Sequence, residues 1–170
     1  FLKNYNSFML PASVISKSKS LISEGNIIVN ENNNYKFPKY YLRSINNLLL
    51  DAYKKGVLIH HKYNEKYLLD NYRDMNTMYQ MKYFLSVIMT LPTYYLHSKG
   101  RPIYKKDSFN IVKNKFSSDW EIIEKASEIR SVWPLMEKHP IKKNKIPLWL
   151  KKILGKDYFK RAYNFSNKLY

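Results

Sequence analysis

Apolar residues recur at every third or fourth position between residues 65 and 100, which is the spacing of one face of an α-helix. The members of this stripe are Leu68, Tyr72, Met75, Tyr79, Tyr83 and Val87. Near residue 88 the sequence becomes apolar on nearly every side, so a helix here has to be covered by other elements. The pattern predicts a long central helix that begins near Glu65, is bent or interrupted by Pro92 and is ended by Gly100.

Two helices and up to two short strands are predicted before the central helix. Residues 8–24 allow a short helix, residues 27–29 are β-branched and allow a strand, and the asparagine-rich residues 30–34 indicate a loop. Pro38 starts a second helix that Gly56 ends. The apolar face of this helix consists of Tyr41, Ile45, Leu48, Leu49, Ala52 and Tyr53. Residues 57–59 either pair as a strand or pack without pairing.

Two further helices are predicted between residues 107 and 134. Asp107 or Ser108 caps the first, and Ser118 and Glu121 have the spacing of a capping box at the start of the second, which ends before Pro134. The inward positions of the two helices are Phe109, Ile111, Val112, Phe116, Ile122, Ile123, Ala126, Ile129 and Trp133. The acidic outward positions of the second are Asp119, Glu121, Glu124 and Glu128. This acidic face is either solvated or in contact with a basic neighbour.

The predicted fold is mainly α, with a single helical domain around the long central helix and at most one or two short strands. After residue 146 the pattern adds a short amphipathic helix that Gly155 ends and a last helix that Asp157 caps. The inward positions of the last helix are Phe159, Ala162, Tyr163 and Leu169. We divide the chain into N-terminal elements (1–34), a helical core (35–137) and a basic helical C-terminal extension (138–170). A chain of 170 residues is long enough for one domain with a substantial core.

The charge of the chain favours a polyanionic partner. Lysine and arginine number 30 against 13 acidic residues, for a formal net charge of +17, and aromatic residues make up 16% of the chain. Positive charge combined with aromatic rings is typical of proteins that bind nucleic acid. Coding DNA rich in A and T also produces many lysines, asparagines and tyrosines without any ligand, and this alternative stays open.

Two basic segments are candidate nucleic-acid contacts. In the first, Lys99, Arg101, Lys105 and Lys106 lead into a helix whose free N-terminal amides and dipole attract a phosphate, although a solvated loop explains them equally. The second is the C-terminal tract, with candidate cations Lys142, Lys143, Lys145, Lys151, Lys152, Lys160 and Arg161. The aromatic residues between these cations are Trp149, Tyr158, Tyr163 and Tyr170. Such rings either stack on bases or form the apolar side of the two helices.

The sequence contains no motif for catalysis, metal binding or cofactor binding. It has no cysteine, which excludes disulfides and thiolate metal sites. The histidines at 60, 61, 97 and 139 do not have the spacing of a helical metal site, and the four glycines lie too far apart for a phosphate-binding loop. We therefore expect no enzymatic activity from this chain. No signal peptide or membrane span is visible, so we expect an intracellular location and no membrane partner.

Residues 94–109, which read YYLHSKGRPIYKKDSF, and residues 120–126, which read WEIIEKA, resemble the helical C-terminal region of nucleotidyltransferase-like proteins. These archaeal and bacterial proteins belong to the polymerase-β superfamily. In them a long helix, a link of the type Gly-Arg/Lys-x-x-Tyr-Lys-Lys and two more helices follow a small catalytic α/β domain. Residues 20–29 are similar to the helix-then-strand ending of that domain.

The family's catalytic residues are missing from this sequence. Its members hold metal and triphosphate with a Gly-Ser turn and two aspartates that are two residues apart. The four glycines here are followed by Asn26, Val57, Arg101 and Lys156, and no two aspartates have that spacing. The resemblance therefore implies the non-catalytic part of such a protein.

Two functional hypotheses follow from the sequence. In the first, the chain is a non-catalytic basic helical module that binds nucleic acid, with structured RNA favoured, and works with other proteins in a ribonucleoprotein such as a ribosome. In the second, which rests on the resemblance, it is an accessory part of a nucleotidyltransferase whose catalytic domain lies elsewhere. The chain begins at Phe1 rather than at methionine, so it is interpreted as a processed protein or a piece of a longer one.

Overall fold

The structure is a computed structural model that describes residues 36–60, 65–71, 75–101, 103–138 and 148–170. The helices are α1 (Lys36–Lys55), α2 (Met75–Ile88), α3 (Leu91–Ser98), α4 (Lys105–Lys115), α5 (Glu121–Lys138), α6 (Leu148–Ile153) and α7 (Lys156–Leu169). Strands β1 (Val57–His60) and β2 (Glu65–Leu68) form an antiparallel pair, and a 3-10 helix spans Ser117–Asp119. The predicted mainly α fold is confirmed. The elements predicted for residues 8–34 lie outside the described residues.

Helices α1 and α7 form the most extensive helix pair in the described chain. The predicted apolar face of α1 is confirmed, because Ile45, Leu48, Leu49 and Ala52 are buried. Gly56 ends α1 with a positive φ of 63°, a conformation that favours glycine. The predicted inward positions of α7 are also confirmed, since Phe159, Ala162 and Leu169 are buried and Tyr163 is partly buried.

The prediction of one helix from Glu65 to Gly100 is wrong at its start. Residues 65–68 form strand β2, in which Leu68 lies opposite Val57 and Tyr67 opposite Leu58. Residues 57–59 therefore pair as a strand, which was the first of the two alternatives. The pairing of β1 with β2 satisfies backbone groups that a helix would otherwise satisfy internally.

The central segment is also divided near Pro92, as the sequence predicts. Helix α2 ends at Ile88, and Pro92 lies in the first turn of α3. A proline ring collides with the carbonyl four residues earlier, which here belongs to Ile88, and the ring nitrogen has no hydrogen to donate. The first turn of a new helix tolerates both properties, so α3 begins where α2 cannot continue.

The predicted apolar stripe of the central segment is wrong at three positions, whereas the prediction that other elements cover the segment near residue 88 is confirmed. Leu68 is 65% exposed, Tyr79 is 54% exposed and Tyr83 is 38% exposed. The buried apolar positions of α2 are instead Met78, Met81, Phe84, Leu85 and Ile88. Helix α2 contacts α5 and both strands, while Tyr79 and Tyr83 of the predicted stripe are exposed. Tyrosine tolerates this position because its hydroxyl can remain hydrated.

The starts of α4 and α5 differ from the predicted caps. Helix α4 begins at Lys105, so Asp107 lies within its first turn, and the buried Ser108 hydroxyl donates to the Lys105 carbonyl oxygen over 2.6 Å. The Ser118 hydroxyl donates to Asp119 Oδ2 over 3.1 Å instead of forming a capping box. The reason is that residues 117–119 form a separate 3-10 turn before α5 begins.

Helix α5 confirms its predicted inward face and corrects its predicted end. Its five inward apolar positions are all buried: Ile122, Ile123, Ala126, Ile129 and Trp133. The helix runs on through Pro134 to Lys138, although the sequence predicts an end before the proline. An internal proline removes a single helical hydrogen bond, and a helix held by packing can continue past that loss. Across the described ranges, none of the helices combines the length and apolar character needed to cross a bilayer.

Candidate nucleic-acid interface

The turn after α3 is fixed by backbone hydrogen bonds. Gly100 has a positive φ of 77°. Its amide donates to the His97 carbonyl over 3.0 Å, and the Arg101 amide donates to the Leu96 carbonyl over 2.9 Å. These two bonds are the Schellman arrangement that closes a helix C-terminus. Lys99 and Arg101 are both exposed, so this turn presents two cations from a defined backbone.

Side-chain contacts also hold the link between α3 and α4. The buried His97 ring places Nε2 3.3 Å from the Ile103 carbonyl oxygen. In the next turn, the Ser108 hydroxyl lies 3.0 Å from Thr93 Oγ1, and both residues are buried. Helices α3 and α4 are therefore joined by polar contacts on both sides of the link. These contacts hold the two helices that flank the cations of the link.

Lys105 is the least exposed cation of the link. Burial lowers the pKa of Lys105 from its ordinary value, and the Arg130 guanidinium on α5 lowers it further. The fold therefore places the Arg130 guanidinium within electrostatic range of the partly buried Lys105 ammonium. We call Lys99, Arg101, Lys105, Lys106 and Arg130 the link cluster. In the described part of the chain, no carboxylate forms an ion pair with any member of this cluster.

The sequence interpretation missed Arg130, because its approach to Lys105 depends on how α5 packs. One signal was present in the sequence. Arg130 follows the buried Ala126 by four positions and precedes the buried Trp133 by three, so helical spacing places it beside the core face. An arginine at such a position is directed toward the neighbouring elements rather than away from them.

Replacing Lys105 with methionine is expected to increase the free energy of unfolding and to weaken RNA binding. The lowered pKa of Lys105 means that the folded state disfavours its charge, and this cost is present at every pH where the lysine is protonated. Methionine keeps a similar unbranched stem. Urea unfolding and RNA titration measure the two effects, with the exposed Lys106→Met as the control for stability. A clear loss of stability in Lys105→Met would contradict this electrostatic explanation.

One candidate cation of the C-terminal tract already has carboxylate neighbours in the fold. The Arg161 guanidinium lies 3.1 Å from Glu121 Oε2 and 3.6 Å from Asp157 Oδ2. Lys152 and Lys160 are exposed. Lys142, Lys143 and Lys145 lie outside the described residues, and Lys151 lies in α6 with its side chain undescribed. Of the seven candidate cations, the structure describes the side chains of three, of which two are exposed lysines and one is an arginine paired with carboxylates.

The acidic face of α5 contacts basic side chains of this chain. Besides the Glu121–Arg161 pair, Asp119 pairs with Lys168 at 2.7 Å, and Glu124 pairs with Lys113 at 2.7 Å. These pairs join α5 and the turn before it to α7 and α4. Exposed pairs of this kind contribute about 0–1 kcal/mol each to stability. Their main consequence is that these cations already have anionic neighbours.

The aromatic residues of the C-terminal tract divide between core and surface. Tyr158 is buried, its hydroxyl donates to the Ile122 carbonyl over 3.0 Å, and the pKa of Tyr158 is raised by this burial. The Tyr163 ring lies 6.3 Å from the Tyr53 ring and is partly buried. Tyr170 is 64% exposed, whereas the side chain of Trp149 is not described. The alternative in which the ring forms the apolar side of its helix is therefore confirmed for Tyr158.

Within the described ranges, no group of three or more histidine, aspartate or glutamate side chains is placed to hold a metal ion. Comparison of the chain with protein-family models, with characterised proteins and with solved structures finds no match. The resemblance to nucleotidyltransferase C-terminal regions therefore stays a prediction from the motif residues.

Proposed function

We propose that this chain is a non-catalytic, basic helical module that binds nucleic acid, with structured RNA favoured, through the link cluster. The observation that carries the proposal is the grouping of like charges around residues 99–106. Lys105 is partly buried close to Arg130, and Lys99, Arg101 and Lys106 are exposed nearby in the sequence. Folding gains nothing from bringing cations together, whereas a bound phosphate would neutralise them.

The distribution of carboxylates supports this assignment. Acidic residues of α5 and of the 3-10 turn before it pair with Arg161, Lys168 and Lys113, so the chain itself neutralises these three cations. The link cluster receives no such partner within the described residues. For cations that no carboxylate of the described residues neutralises, the favourable partner is an external polyanion. A ribonucleoprotein, in which other proteins share the same RNA, fits this surface chemistry.

Reversing the charge of three exposed members of the link cluster tests the proposal. The variant carries Lys99→Glu, Arg101→Glu and Lys106→Glu. Each loses a phosphate contact and gains repulsion, so we expect RNA binding to weaken about tenfold more than in a charge-matched control. Fluorescence anisotropy with a labelled RNA hairpin at low salt measures both affinities.

The control variant carries Lys54→Glu, Lys66→Glu and Lys156→Glu. These lysines are exposed and lie on α1, β2 and α7, and the change in formal net charge equals that of the link variant. Circular dichroism spectra verify that both variants fold. Equal weakening in the two variants, or unchanged binding in the link variant, would show that the link is not the binding surface.

A further inference from the structure

A cleft of about 500 Å³ opens between α1, α2 and α3. Tyr40 and Tyr41 line it from α1, Tyr83 from α2 and Tyr94 from α3. A volume of this size is within the range of small-ligand pockets. No charged side chain is among the described residues that line the cleft. The site is therefore suited to an uncharged, flat group.

The four tyrosines line the cleft from three helices, and two of their rings are in contact. The rings of Tyr41 and Tyr94 are stacked, with centroids 4.9 Å apart and planes 28° apart, and both are partly buried. Tyr40 is 66% exposed and Tyr83 is 38% exposed, on different helices. Exposed aromatic rings that line one cleft from different helices are surfaces on which another aromatic ring can stack.

The hydroxyl groups of Tyr83 and Tyr94 are uncharged at neutral pH. Burial raises the pKa of Tyr94 to about 12, with smaller contributions from Tyr41 and Tyr83. Burial and the proximity of Tyr41 also raise the pKa of Tyr83. A neutral phenol ring is a suitable surface for another uncharged aromatic ring.

The cleft and the link cluster share helix α3. Tyr94 lies in the cleft, and Lys99 follows it by five residues, which is about 7.5 Å along a helix axis. The Tyr94 ring also meets the His97 ring edge-on at 6.4 Å, and His97 contacts the Ile103 carbonyl in the link. The cleft and the link are therefore adjacent, since His97 contacts a residue of each. On α1, the exposed Lys39 and Arg43 stand on either side of Tyr40 in the sequence.

We propose that the tyrosine cleft receives an unpaired base of the RNA strand whose phosphates contact the link cluster. The inference rests on the proposed function, because it places a base next to the phosphates already assigned. An uncharged aromatic slot beside unneutralised cations matches the two parts of a nucleotide, its flat base and its anionic phosphate. Binding of unpaired bases by stacking on aromatic side chains is a general mode of RNA recognition.

The test compares an RNA oligomer of about ten nucleotides with an abasic oligomer of the same backbone and length. The wild-type chain is expected to bind the base-containing oligomer about tenfold more tightly, because only that oligomer can stack in the cleft. The double variant Tyr40→Ala/Tyr83→Ala should lose this preference and keep its affinity for the abasic oligomer. Tyr170→Ala, which removes another exposed ring, is the control and should keep the preference.

Two further variants distinguish the loss of a stacking ring from a folding defect. Tyr40→Ala alone removes the most exposed ring of the cleft and should reduce the preference in the same direction. Tyr83→Phe keeps the ring and should preserve it. If the wild-type chain binds neither oligomer at low salt, the proposed function fails. If it binds both equally, or if the alanine variants keep the preference, the cleft inference fails and phosphate binding by the link stands.

Discussion

Replacing Phe84 with alanine is expected to lower the free energy of unfolding by about 3–5 kcal/mol. The Phe84 side chain is completely buried, and its ring meets the Phe159 ring edge-on at 5.8 Å. This contact joins α2 to α7, so alanine leaves a cavity between two helices that are distant in sequence. Urea unfolding followed by circular dichroism measures the loss.

The matched control for Phe84→Ala is Tyr79→Ala on the same helix. Tyr79 belongs to the stripe that the sequence predicts to be buried, yet it is 54% exposed. We therefore expect Tyr79→Ala to change the free energy of unfolding by less than about 1 kcal/mol. If Tyr79→Ala lowers the free energy of unfolding strongly and Phe84→Ala lowers it only slightly, the assignment of the buried face is wrong.

The parts of the fold that the sequence predicts well are those with one clear apolar face and strong end signals. Helix α1 is the best example, because Ile45, Leu48, Leu49 and Ala52 define one face and Gly56 defines the end. Pro92 similarly marks the division between α2 and α3. In these places the apolar spacing and the glycine or proline at the helix end predict the same structure, and the packing agrees with that prediction.

The buried face of α2 could not be selected from spacing alone. Two stripes overlap on this helix, one through Tyr79 and Tyr83 and one through Met81 and Leu85, and both have helical spacing. The choice between them depends on α5 and the β hairpin, which cover only the second stripe. The strand at residues 65–68 was missed for a related reason, because its pairing with β1 is a tertiary contact.

The candidate site was predicted in part. The sequence located the link through its density of cations, but Arg130 joins it from α5 only after the helices have packed. Packing also decides which cations are neutralised. Arg161 is a candidate RNA contact in the sequence, yet in the fold it lies beside Glu121 and Asp157. The tyrosine cleft combines residues from three helices, so no local pattern could indicate it.

The dependence of RNA binding on salt is the second large effect that we expect. Each cation that neutralises a phosphate releases counterions, so affinity falls steeply as salt rises. If each of the five link-cluster cations contacts one phosphate of a single-stranded segment, the logarithm of affinity should fall with the logarithm of salt at a slope of roughly −3.5. Between about 50 and 200 mM salt, this slope corresponds to a loss of affinity of about a hundredfold.

The measurement that tests phosphate binding by the link most directly is this salt titration, performed on the wild-type chain and on the link variant. We expect the steep slope for the wild-type chain and a slope shallower by about 2 for Lys99→Glu/Arg101→Glu/Lys106→Glu, because three contacts are removed. Absence of binding at about 50 mM salt, or an affinity that changes less than about threefold up to 200 mM, would contradict the proposed function.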